Sequence, residues 1–188
     1  MGNRFEGGGE TGRMYEAKFM GKPTVDPKFL LAVEKISQRE LGRRAYKEAM
    51  FKLFKESYLN DPTDPPGEHL KELRLATSEA LGLRSQDESA LGAYTAVGTE
   101  LDKRFGTDGF IEYTDPQTGK TARVTLDTTL NRRKLEEQGD DDDHLMVSEL
   151  PDAVQDDEAY LEALEKLGSK VASRLLMATA PDEKRKAA

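Results

Sequence analysis

Between Phe110 and Leu126 the helical spacing of apolar residues gives way to alternation. Two runs rich in β-branched and aromatic residues, 110–113 and 121–126, flank Asp115-Pro116-Gln117-Thr118-Gly119-Lys120. Proline early in a turn and glycine where positive φ is needed predict a β-hairpin over about 109–126. If Asp115 pairs with Lys120 across a four-residue loop, Glu112 faces Arg123, an opposite-charge cross-strand pair. Ile111, Tyr113, Ala122, Val124 and Leu126 then share an apolar face that should be buried. Phe110, Glu112, Arg123 and Thr125 share the other face, on which Glu112 and Arg123 are expected to be more exposed. At the open end Asp108 and Asp127 come directly opposite each other, with Cβ atoms about 4.5–5.5 Å apart.

Helical patterns surround this hairpin. Asp26-Pro27 opens a short helix through Phe29, Leu30, Val33 and Ile36. Ser37 with Glu40 forms a capping box for a second helix whose stripe includes Leu41, Tyr46, Met50 and Phe54. A third helix is expected over 68–82. A fourth, over 86–105, is opened by Ser85 with Glu88, presents Leu91, Tyr94, Val97, Leu101 and Phe105, and is stopped by Gly106. Asp127 and Thr128 cap a short helix to Gln138, a third short strand follows over 144–149, and a last helix spans 156–178 with Tyr160, Leu161, Leu164, Leu167, Val171 and Leu175 inward. The fold class is α+β, predominantly helical with a small hairpin-based sheet. One domain is expected over 26–179: a helical half (26–105), a sheet core (106–150) and the C-terminal helix. Residues 1–25 read as a flexible arm and 180–188 as a disordered tail.

The chain has 188 residues, no cysteine and a net charge of −8. Absence of cysteine excludes a disulfide scaffold, and no apolar run is long enough to span a bilayer. No apolar signal segment stands at the N-terminus, so a cytoplasmic protein is expected. Glu136–Glu158 carries 11 acids and no Lys or Arg. Those acids outnumber the net charge, so the rest of the chain is mildly basic, compatible with a nucleic-acid partner. Arg39, Arg43, Arg44 and Lys47 on the second helix are the residues that would meet phosphates. A protein partner is equally compatible.

Other motifs carry less. Gly7–Gly12 matches GxGxxG without the strand and helix that dinucleotide binding requires, and Thr118–Thr121 reads as a hairpin turn before it reads as a phosphate loop. His144 beside four aspartates is a solvated acidic loop before it is an ion site.

The stretch Gly106-Thr107-Asp108-Gly109-Phe110-Ile111-Glu112-Tyr113 followed by Thr125-Leu126-Asp127-Thr128-Thr129 resembles the core of PD-(D/E)XK nucleases, over about residues 86–150. The resemblance implies Mg²⁺ held by Asp108 and Asp127, an assisting acid for which Glu100 is the nearest match, and a lysine two residues after the second acid to orient the attacking water. Thr129 occupies that lysine position. Lys120 lies at the wrong end of the hairpin, and Lys134 would have to reach back. The implied function is a Mg²⁺-binding nuclease-type module acting on nucleic acid, catalytically inactive if no other lysine serves. The alternative is a non-catalytic helical interaction or regulatory protein. That class includes a winged-helix-like regulator, with 110–126 as wing and 86–105 as recognition helix.

Overall fold

The computed structural model describes residues 12–36, 38–130 and 143–180. The expectations for Gly7–Thr11, the Ser37 cap, the helix to Gln138, the acidic run 140–142 and the tail from 181 lie outside these residues.

The elements run α1 (Gly12–Met20), α2 (Lys28–Val33), α3 (Gln38–Leu41), α4 (Arg43–Ser57), α5 (Glu68–Ala80), a 3₁₀ turn (Ser85–Ala90), β1 (Leu91–Thr95), α6 (Glu100–Phe105), β2 (Gly109–Thr114), β3 (Thr121–Thr128), β4 (His144–Val147) and α7 (Asp157–Thr179). The fold is α+β and mainly helical. The four strands lie in chain order, β1–β2–β3 antiparallel and β4 parallel to β3.

The hairpin has the expected register: Phe110 faces Thr125, Ile111 faces Val124 and Glu112 faces Arg123. Asp115 N–H donates to the Lys120 carbonyl and Gly119 N–H to the Asp115 carbonyl, closing the four-residue loop. Ile111, Tyr113, Ala122, Val124 and Leu126 are buried as expected.

The opposite face corrects the expectation. It is far less exposed than expected, because a second helical layer covers it, and of Phe110, Glu112, Arg123 and Thr125 only Arg123 stays partly exposed. Phe110 is fully buried against Phe51 and Phe54 of α4, and Glu112 is only 7% exposed. One layer, from α1, α5 and α7, packs on the Ile111 face. Another, from α2, α4 and α6, packs on the Phe110 face. A sheet buried on both faces loses the polar side that alternation normally reveals.

The expected helix over 86–105 is a 3₁₀ turn, a strand and a short helix, which also removes the winged-helix recognition helix. Leu91, Tyr94, Val97, Leu101 and Phe105 satisfy a helical period, but a short apolar run buried on both faces fits a strand equally well. Pairing with β2 decides the outcome, stacking Tyr94 on Phe110 with centroids 4.6 Å apart.

The N-terminal arm is a second correction. Residues 12–20 form α1, and Phe19 and Met20 are fully buried in the main core. Tyr15 and Phe19, one helical turn apart, both face inward and outweigh the glycine-rich flank. Gly67 sits against the Met20 carbonyl so closely that a Cβ there would overlap it. That contact pins the end of α1 to the start of α5.

The second expected helix is divided. Gly42, at φ +76°, separates α3 from α4, and Leu41 is 45% exposed, while Tyr46, Met50 and Phe54 are buried as expected. Helix α7 follows its prediction closely, capped by Asp156, whose carboxylate accepts the Ala159 N–H at 3.0 Å; Leu161 is exposed where it was expected inward. Helices α5 and α7 pack closely at Gly168, where a Cβ would lie 2.8 Å from Ala76 Cβ. No helix among the described residues is long and apolar enough to cross a membrane.

Candidate functional site

The open end of the β2–β3 hairpin is built by a helix stop. Gly106 adopts the left-handed conformation (φ 62°), and its N–H closes α6 on the Asp102 carbonyl. The chain then turns through Thr107 into Asp108. The Asp108 N–H donates to the Leu126 carbonyl at 2.9 Å, and its carbonyl accepts the Ala96 N–H at 2.7 Å. Asp108 is thus stitched between β3 and the end of β1.

Its side chain continues the ladder where the main chain has left it. Oδ2 accepts the Thr128 N–H at 2.7 Å and the Thr128 hydroxyl at 2.8 Å. Asp108 is 5% exposed and Asp127 7%. Burial is the main cause that pushes the Asp108 carboxyl up to about 7; the two Thr128 hydrogen bonds oppose the shift, and the negative charges of Asp127 and Glu16 add to it.

Of the expected site residues, Asp108 and Asp127 are therefore brought together. Glu100 is not part of that pair. Its carboxylate is held along its own helix by Arg104 at 2.7 Å and Lys103 at 3.4 Å, and the Arg104 hydrogen bond leads the causes that lower its pKa. The acid that does act on Asp108 from outside the hairpin is Glu16. Sequence patterning did not single it out, because the whole of α1 was hidden in a glycine-rich stretch; the Tyr15/Phe19 spacing was the signal available.

The lysine position stays vacant of charge. Thr129 is buried and donates its N–H to the Val147 carbonyl, extending the β3–β4 ladder. Lys120 Nζ lies 3.4 Å from the Ala180 carbonyl, at the far end of the hairpin. Lys134 is outside the described residues.

Whether a magnesium ion suits these residues follows from their donors. Two carboxylates are a workable protein share for an ion that keeps several waters. However, one oxygen of Asp108 is already taken by both Thr128 donors, and the described residues hold no group of three or more His, Cys, Asp or Glu fit for a metal. The donors to consider are the second Asp108 oxygen and the Asp127 carboxylate, which has interactions of its own. That set can hold an ion weakly, and it positions no base or lysine against a water. His144 meets the Thr125 hydroxyl through Nδ1 at 3.0 Å and belongs to no group of three or more His, Cys, Asp or Glu fit for a metal among the described residues.

The basic residues lie near this end. Tyr46 of α4 accepts from Arg104 at 2.8 Å and packs on Phe105, close in sequence to Asp108. One turn earlier, Arg43 and Arg44 are exposed, as is Arg39 on α3, and none of the three pairs with an acid among the described residues. The first turn of α4 carries no acid, and Gly42 supplies no side-chain cap. Positive side chains at the positive end of a helix dipole are unfavourable in isolation and favour an anion nearby. Lys47 instead lies 3.7 Å from Asp143.

A second charged assembly bridges α4 to the sheet. Glu112 bonds Lys55 and receives Arg123 through Nε and Nη2, at 3.1 and 3.0 Å; Arg123 also reaches Glu48 at 3.2 Å. Glu48, Glu112 and Arg123 border a cavity of about 280 Å³ that includes Lys47, Thr121, Thr125 and Asp143. Its cations are matched by carboxylates, so it offers no surplus charge to a ligand.

No family model, curated protein or solved structure matches this chain.

Proposed function

We propose that this protein is a PD-(D/E)XK-like nuclease-type module that binds nucleic acid without cutting it. The carrying observation is the buried Asp108 carboxyl at the open end of the hairpin with the charge of Asp127 acting on it, together with threonine at the position of the water-orienting lysine. Mg²⁺ bound there would neutralise two crowded carboxylates. Asp108 and Asp127 would hold it, and Thr128 would fix Asp108 in place. Nucleic acid would lie along Arg39, Arg43 and Arg44, whose charges no acid among the described residues offsets. Support comes also from the order of elements, in which the hairpin is followed by a short strand and a closing helix.

The test combines two titrations. Mg²⁺ or Mn²⁺ at millimolar concentration should raise the melting temperature of the wild type and leave Asp108→Asn/Asp127→Asn unchanged. Duplex DNA or RNA binding, followed by anisotropy, should weaken in Arg39→Glu/Arg43→Glu/Arg44→Glu, with a salt slope shallower by roughly one for each phosphate no longer neutralised. Metal-independent melting together with unchanged affinity would end this reading. It would favour an interaction module instead, for which Leu30 and Leu31, each more than half exposed on α2, are the feature to pursue.

A further inference from the structure

A second cavity, of about 240 Å³, opens between α1, α5, α7 and the loop that follows β4. It is separate from the aspartate pair and contributes nothing to the function proposed above. At its wall three side chains form a chain of hydrogen bonds. The Tyr160 hydroxyl donates to Glu72, and His69 Nδ1 lies 2.7 Å from the same hydroxyl oxygen.

A phenol has one hydrogen, and here Glu72 takes it. The contact to His69 must then be donated by the imidazole, which places the ring hydrogen on Nδ1. In neutral His69 this leaves a lone pair on Nε2. Nε2 meets no hydrogen-bond partner among the described residues. None of their buried side-chain nitrogen or oxygen atoms lacks a partner, so Nε2 reaches open space, and His69 lines the cavity. Phe19 packs against the ring at 5.6 Å between centroids, and Tyr160 on another side at 5.5 Å. The acceptor is thereby held in one tautomer and one orientation.

The rest of the lining says what would donate to it. Glu68, Glu149 and Asp152 face a single cation, Lys18, and Leu150 with Pro151 supply an apolar wall. Size narrows the choice. The volume falls below the roughly 300–1,000 Å³ of drug-sized ligand sites, so it suits one side chain or a short amine and not a nucleotide.

We propose that this cavity receives a primary ammonium or guanidinium group, which donates an N–H to His69 Nε2 while its charge faces the carboxylates and its alkyl stem lies on Leu150 and Pro151. The shared chemistry has two sources, a free short diamine or a lysine or arginine side chain of a basic peptide.

The two histidines of the chain make the test direct, since His144 lies elsewhere and serves as an internal reference. Imidazole resonances of the full chain are followed during titration with 1,4-diaminobutane, Nα-acetyl-lysine amide, Nα-acetyl-arginine amide and tetramethylammonium, all as chlorides at constant ionic strength. N–H-bearing cations should shift His69 saturably and leave His144 in place. Tetramethylammonium, with charge but no N–H, should do neither. Glu149→Gln/Asp152→Asn changes two exposed side chains and should weaken binding by about tenfold or more. A stronger response to the diamine identifies a free amine as the ligand, and a stronger response to the capped amino acids identifies a peptide side chain. The proposal is overturned if no N–H cation saturates His69, if tetramethylammonium acts equally, or if the double variant binds as the wild type does.

Discussion

The guanidinium of Arg123 lies over the ring of Phe51, with its central carbon 4.0 Å from the ring centroid, while its N–H groups grip Glu112. One residue of β3 thus ties an aromatic of α4 to a carboxylate of β2. Glu112 in turn bonds Lys55 at the far end of α4.

Glu112→Ala would leave Lys55 without its anion and Arg123 with only the more exposed Glu48, and it should destabilise the fold by about 3 kcal/mol. Arg123→Lys keeps the charge but loses the fork and the flat stacking, and should cost about 1 kcal/mol. Urea unfolding of the two variants checks both values. Equal, negligible losses would mean that the network is solvated and energetically idle.

Asp108 makes stability depend on pH in an unusual direction for a carboxylate. Its folded pKa is raised to about 7. An unfolded aspartate titrates near 3.9, so between these values the folded state holds the proton and the unfolded state does not. This contribution is fully present below about pH 4 and is lost as pH rises to about 7, by as much as ~4 kcal/mol. Asp108→Asn retains an acceptor for Thr128 and should flatten that slope. Thermal melts from pH 4 to 8 decide it; parallel curves for the two proteins would show that Asp108 is ionised throughout.

Phe19→Ala removes a fully buried ring from the main core and should cost about 3–5 kcal/mol. A loss below about 1 kcal/mol in chemical denaturation would indicate that α1 is not docked in solution, as an arm would not be.

Gly168→Ala tests the approach of α5 to α7. The added methyl would meet Ala76 Cβ at 2.8 Å, and overpacking of this kind costs about 1–3 kcal/mol, reduced by up to about 1 kcal/mol of improved helix propensity. Ala76→Gly in the same chain should recover part of the loss beyond simple additivity. Additive effects would mean that the methyl is resisted by the α5 main chain, whose Ala76 carbonyl carbon lies equally close, and not by the Ala76 side chain.

The hairpin was legible because turn chemistry and alternation pointed to one register, and with it came the Glu112–Arg123 pair; it also put the charge of Asp127 within reach of Asp108, although the ladder itself ends at Gly109 and Leu126. What pairs with the hairpin was less visible. The β1 segment satisfies a helical period as readily as a strand, and only the free edge of β2 selects between them. Burial of Glu112 was hidden because a charge on an alternating strand normally signals solvent, and here Lys55 and Arg123 accompany it inside. Thr128 as the partner of Asp108 could not be read from spacing, since it depends on a side chain replacing main chain at the end of a ladder. Glu16 was lost with α1, where glycine-rich composition outweighed two aromatic residues one turn apart.

The helical layer over the Ile111 face is drawn from distant parts of the chain: α1 and α5 come before the sheet and α7 after it. During synthesis the strands leave the ribosome before α7 does, so the growing chain carries its apolar sheet face half covered until the last helix arrives. The Phe110 face has no such delay, because α2, α4 and α6 all precede β2. Assembly is therefore expected to be vectorial, with the aromatic side closing first and the Leu126 side staying sticky longest.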